Sequence, residues 1–171
     1  LNDLALNATQ ERQQWRATVE ARQLKGRVEF QPADQASPGR IHARLERLSL
    51  PHSAASEIEQ LTQQAPVRLP ALDIEVQDFE LGTRKLGRLE IQAVNRMPAP
   101  AQRESGSIWQ LEKLNLGMPE AELQASGNWA FAAATRGSGS TPQRRTGLQF
   151  KLKIDDAGAL LARLGMPGVV R

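Results

Sequence analysis

The sequence predicts a mostly β protein: an antiparallel curled meander, or repeating β-groove sheet, of roughly ten strands with one or two short helices. Three observations carry this. Apolar and polar residues alternate through most of the chain, the period of a strand with one greasy face. Turn-forming Pro, Gly, Asn and Asp punctuate the alternating stretches at short spacing. A six-residue unit, apolar at its first, fourth and sixth positions, also recurs three times. Its copies are Leu45-Glu46-Arg47-Leu48-Ser49-Leu50, Val76-Gln77-Asp78-Phe79-Glu80-Leu81 and Leu111-Glu112-Lys113-Leu114-Asn115-Leu116. They begin 31 and 35 residues apart, within the span of repeated supersecondary units. The step of three inside each copy shifts the apolar face by one residue, as a β-bulge does.

Each element follows from local pattern. Leu4, Leu6 and Ala8 open the alternation. Trp15, Ala17, Val19 and Ala21 oppose Arg16, Thr18, Glu20 and Arg22, and Leu24, Gly26, Val28 and Phe30 continue after a register shift. A turn is expected at 31–40, where Pro32, Asp34, Pro38 and Gly39 fall, before Ile41, Ala43 and Leu45 lead into the first copy. A second block runs through Leu72, Ile74 and Val76, then Leu86, Leu89, Ile91 and Ala93. A third uses Ile108 to Leu116, then Leu123, Ala125, Gly127, Trp129 and Phe131. The last strand sets Leu148, Phe150, Leu152 and Ile154 against Lys151 and Lys153. Pro51 and Pro119 close the first and third copies, since proline cannot continue a ladder.

Two helices are expected. Residues 53–64 hold Ser56-x-x-Glu59, a capping-box pattern, with Ile58 and Leu61 one turn apart. Residues 155–164 begin on an acidic cap, place Leu160, Leu161 and Leu164 on one face, and stop at Gly165 and Pro167. Residues 96–107 and 133–146 lack periodicity and are rich in Pro, Gly, Ser and Ala, which predicts mobile loops. No boundary between two domains is visible. Residues 1–171 read as a single β-rich repeat segment cut from a larger protein.

Composition narrows the function. The 22 Lys and Arg against 19 Asp and Glu leave a formal charge of only +3. Arg16, Arg22, Arg27 and Arg44 alternate with apolar residues, which suits the solvated face of a sheet and argues against nucleic-acid binding. The absence of Cys excludes disulfides, thiolate metal sites and Cys nucleophiles. No apolar run reaches the ~20 residues of a membrane helix. His42 sits between Ile41 and Ala43 and is expected to face solvent, while His52 follows Pro51 in a loop. Two His without Cys make a poor zinc set. Asp155-Asp156 precedes an apolar helical face and reads as a cap rather than an acid/base pair. Asp73 and Asp78 lie on the polar side of their strand. Gly137-Ser138-Gly139 has no following Lys, so it is no phosphate loop. Catalysis, metal and cofactor are therefore not expected, and with seven aromatic residues glycan stacking is disfavoured as well.

The apolar faces pose the functional question. Trp15, Val19, Val28, Phe30, Leu45, Leu72, Ile74, Val76, Leu89, Ile91, Trp109, Leu111, Trp129, Phe150 and Ile154 must be buried against something. Either they fill the core of a closed sandwich or barrel, giving a structural or interaction domain, or they line a curved sheet that stays open to apolar ligands. Periodicity fits both, since each buries one face of every strand.

One further set of residues resembles a known family. Leu69-Pro70-Ala71-Leu72-Asp73-Ile74 is followed by Phe79 and by Leu86-Gly87-Arg88-Leu89. Then come Trp109-Gln110-Leu111 with Leu114 and Leu116, Pro119, Gly127-Asn128-Trp129, and finally Leu160-Leu161-Ala162-Arg163-Leu164-Gly165-Met166-Pro167-Gly168. In order and spacing this stretch, from Leu69 to Arg171, is similar to the AsmA-like superfamily, in particular its YhdP branch. The resemblance implies a periplasmic segment of a protein anchored in the inner membrane of a Gram-negative cell. It further implies a long curled sheet with a greasy interior that moves phospholipid toward the outer membrane. On that view the fifteen apolar residues above line a lipid groove. The expected partners are acyl chains, neighbouring repeats of the same protein and, through segments beyond this one, the two membranes. The resemblance implies no cofactor. Strand edges at the ends of such a segment are expected to associate edge to edge or to cap themselves.

Overall fold

In the computed structural model the residues described are 5–11, 14–34, 37–51, 69–96, 108–131 and 144–166. They form one open nine-stranded sheet in which every strand pairs with its sequence neighbours. The strands are β1 (Ala5–Glu11), β2 (Gln14–Glu20), β3 (Leu24–Gln31), β4 (Arg40–Leu50), β5 (Ala71–Leu81), β6 (Arg84–Arg96), β7 (Ile108–Gly117), β8 (Ala121–Phe131) and β9 (Arg144–Ile154), followed by the helix α1 (Ala157–Arg163). Mostly β, with nine strands and one short helix, is the class the alternation predicts. The expected helix at 53–64, His52 and the Gly137-Ser138-Gly139 stretch lie outside the described residues, as do most of the two expected loops. Of the expected loop residues that are described, Arg96 ends β6 and 144–146 open β9.

One pairing departs from a pure meander. β4 and β5 run parallel, while every other neighbouring pair is antiparallel. A parallel pair needs a crossover of a dozen or more residues, and residues 51–70 supply that length. Alternation within a strand is blind to the direction of its neighbour, so this reversal left no mark in the pattern.

The parallel pair brings two repeat copies side by side. Leu45 pairs with Val76, Leu48 with Phe79 and Leu50 with Leu81, position for position. In each copy the two central polar residues lie at a register irregularity. Gln77 and Asp78 face the single residue Arg88, and Glu112 and Lys113 face the single residue Ser126. Glu46 is skipped where Lys25–Arg47 gives way to Gly26–Leu45. These are two-against-one bulges, and they keep the residues on either side of the step on one face. Gly26 makes the first close approach feasible. Its φ is +144°, and a Cβ there would sit 2.4 Å from the Arg44 carbonyl oxygen.

Around the bulges lies the core. Ala43, Leu45, Val76, Phe79, Leu86 and Leu89 are buried together, flanked by Leu24, Val28, Leu48, Leu50, Ile74, Leu81, Ile91 and Leu164. The helix ends carry the expected chemistry. Asp156 is the N-cap, its Oδ1 accepting from the Ala159 amide at 2.9 Å, and Gly165 follows the last turn at φ +80°.

Candidate functional site

Pairing across the strands arranges the apolar residues in rows. One row runs Trp15, Phe30, Ile41, Leu72, Ala93, Leu111, Gly127, Leu148 from β2 to β9. The next is Ala17, Val28, Ala43, Ile74, Ile91, Leu114, Ala125, Phe150. The third is Val19, Gly26, Leu45, Val76, Leu89, Leu116, Leu123, Leu152. Directly paired residues share a face, so each row is an unbroken apolar stripe across eight strands. Trp109 and Trp129 pair just beyond one end of the rows, and Ile154 pairs with Ala121 beyond the other. All fifteen residues singled out from the sequence therefore fall on one face.

Exposure is not uniform along it. At the centre Val76 is 0% exposed, and Leu45, Leu89 and Leu111 are buried. Leu72, Ile74, Ile91, Trp109 and Trp129 are half-buried, as are Val19 and Val28. Toward the two ends of the sheet the face opens: Trp15 and Phe30 on one side, Leu148, Leu152 and Ile154 on the other, with Phe150 at 73%. The face is thus a wall packed in its middle and wet at both rims.

The opposite face is charged in alternation. Arg16 lies 3.6 Å from Glu29, Arg44 donates to Asp73 at 2.9 Å, Arg47 to Asp78 at 3.3 Å, and Arg88 pairs with Glu90 at 2.9 Å. His42 takes its place in this lattice, 3.7 Å from Asp73. The Arg44 guanidinium holds the Asp73 carboxyl below its ordinary value, and the Lys113 ammonium does the same for Glu90. A hollow of about 430 Å³ opens on this side over Glu29, His42, Asp73 and Gln92. Among the described residues no group of three or more His, Cys, Asp and Glu could hold a metal ion.

Two clasps fix the ends of the central strands, and the residue pattern did not single them out. Trp109 Nε1 donates to the Pro70 carbonyl at 3.0 Å and Asn95 Nδ2 to the Leu69 carbonyl at 2.7 Å, which ties down the entry to β5. The Trp109 ring meets Trp129 edge-on, centroids 5.1 Å apart. At the other end Arg163 of α1 donates through two nitrogens to both carboxylate oxygens of Glu120 and through a third to the Lys85 carbonyl at 2.8 Å. Glu120 is only 5% exposed, and the guanidinium holds its carboxyl below the ordinary range. An Arg set within the apolar run Leu160–Leu164 and a Glu directly after Pro119 were the available signals.

These clasps join residues that stand far apart in the chain but together in the ordered motif set: Leu69-Pro70 with Trp109 and Trp129, and the Pro119 turn with Arg163. A family model described as "YhdP protein" matches residues 1–171. The chain belongs to the YhdP family. No curated protein and no solved structure matches it. YhdP is an AsmA-like family of envelope proteins, and its model also covers the residues before Leu69, outside the stretch that carried the resemblance. In this YhdP chain no helix among the described residues is long and apolar enough to cross a membrane.

Proposed function

We propose that this YhdP chain forms one section of a hydrophobic β-groove that conducts phospholipid acyl chains between the inner and outer membranes. In this reading it lies in the periplasm within an inner-membrane-anchored protein, and neighbouring repeats extend the groove in both directions. The observation that carries it is the set of three unbroken apolar rows across β2–β9, backed by a charged face and open at both rims. At ~4.8 Å per strand, seven strand-to-strand steps give a wall of about 34 Å, so an envelope-spanning path needs several such units.

The energetics favour a surface over a reactive site. A chain of about 15 methylenes carried through water costs roughly 12 kcal/mol at ~0.8 kcal/mol per CH₂. A continuous aliphatic wall removes much of that cost at every step, and no residue need form or break a bond. Uniform lining also suits passage, because a tight specific pocket would hold its cargo. The reading thus involves no enzyme chemistry and no cofactor.

Photoreactive residues placed at Phe30, Ile74, Ile91 and Phe150 of the full-length protein test it in cells. Phospholipid adducts are expected from all four, strongest at the exposed rims. Clean absence of adducts at every position overturns the proposal. The buried centre around Val76 favours a second reading, a structural or interaction domain without a ligand. That reading expects no lipid in native mass spectra of gently purified protein.

A further inference from the structure

We infer that the apolar face holds phospholipid in one orientation: headgroups emerge along the edge marked by Trp109 and Trp129, and acyl chains lie along the strands with their methyl ends toward α1. Resting on the groove reading above, this orientation follows from what stands at the two ends of the strands, whatever lies beside the first and last of them.

Tryptophan marks one edge. The chain has three Trp, and all of them stand at the same end of the strands. Trp15 heads the first apolar row, and Trp109 and Trp129 pair one step beyond that row, away from the second. On the same face Gln10 pairs with Trp15, Asn95 with Trp109 and Thr146 with Trp129. Trp15 is 44% exposed, and the other two are half-buried. An indole with polar neighbours on one side and aliphatic rows on the other is the kind of group that settles at the headgroup level of a bilayer.

The other edge is aliphatic and walled. Past the third row Leu24 pairs with Leu48, Leu48 with Phe79, and Ala121 with Ile154. Here α1 lies across the strand ends. Leu164 packs against the central cluster, Leu160 is buried, and Arg163 fastens the helix to Glu120 and to the Lys85 carbonyl. A phosphate pressed against this wall would lose water to aliphatic side chains, which is costly for a charge. Cations do not choose between the edges, since Arg40 and Arg96 are exposed at one and Lys85 and Lys153 at the other.

Length agrees with the orientation. Six residues of β8 separate Trp129 from Leu123 of the third row, about 20 Å at ~3.4 Å per residue. One leaflet of acyl chains spans ~15 Å, half of a ~30 Å hydrocarbon core. A chain that starts at the Trp edge and runs along the strands is therefore covered by the three rows to its end. Laid across the strands, the same lipid would hold its headgroup over aliphatic rows.

Two phosphatidylethanolamine probes test the orientation on the full-length protein, one with a diazirine at the end of an acyl chain and one with a diazirine on the headgroup. After illumination the labelled residues are mapped by mass spectrometry. The expected result is headgroup-probe label at Asn95, Trp109 and Trp129 several-fold above that at Leu86, Leu116 and Leu123, with the opposite ratio for the chain-end probe. Reversed ratios overturn the orientation, and equal labelling of both edges by both probes overturns any fixed orientation; in either case the groove reading survives. No label from either probe anywhere on the face removes the groove reading and the orientation with it.

Discussion

Single residues in this chain act mostly by fitting where the backbone leaves no alternative. Gly87 has φ +91°, and a Cβ there would lie 2.3 Å from the Gly117 carbonyl oxygen on the next strand. Gly87→Ala is expected to cost about 1–3 kcal/mol, from the left-handed backbone and the collision together, and urea denaturation reads the loss. Arg163→Ala should cost a similar ~1–3 kcal/mol, because it strips a nearly buried Glu120 of its charged donors. The ionic lattice sets the response to acid. Asp73, Glu90 and Glu120 all have carboxyls held below their ordinary values by a cation. A lowered folded-state value contributes stability that is complete above the ordinary carboxylate range and is lost as pH falls through the folded value. The denaturation midpoint is therefore expected to be flat near neutrality and to fall below about pH 4, with a shallower fall in Glu120→Gln. An equally steep acid limb in that variant would remove Glu120 from the explanation. The clasp was hard to see beforehand because Glu120 and Arg163 are 43 positions apart, and charge patterning within one element is silent on such pairs.

At the level of the element, the repeat unit is a bulge written into sequence. Its step of three was legible because bulges preserve a face while breaking strict alternation, and the pairing at Gln77-Asp78 and Glu112-Lys113 has that form. Deleting Lys113 shortens the step in the third copy from three to two, which restores strict alternation and leaves Leu111, Leu114 and Leu116 on the apolar face. The sheet is therefore expected to stay folded, with little change in urea denaturation and no gain in binding of a hydrophobic dye. A large loss of stability would mean that the bulge itself is needed. Helix α1 was equally readable, since Asp156, the Leu160–Leu164 face and Gly165 each play their expected part. Asp156→Ala should cost about 1 kcal/mol in thermal unfolding. The parallel β4–β5 pair escaped notice for a physical reason: direction is decided by the crossover at 51–70, and alternating side chains look the same read either way.

Across the whole molecule, the sheet gathers every apolar candidate onto one face, yet sequence could not rank them by accessibility. Val76 and Phe150 each follow an apolar and a polar residue in an alternating stretch, but one lies at the centre of the sheet and the other on its last strand. Burial of this kind depends on how many strands flank a residue, which is a property of topology. The same gradient has a kinetic consequence. Backbone amides of β4–β7, locked over the buried cluster, should exchange with deuterium only through global unfolding. Those of β1, β2 and β9 should exchange through cheaper local excursions, so the protein is expected to fray from its flanks while a four-strand kernel holds.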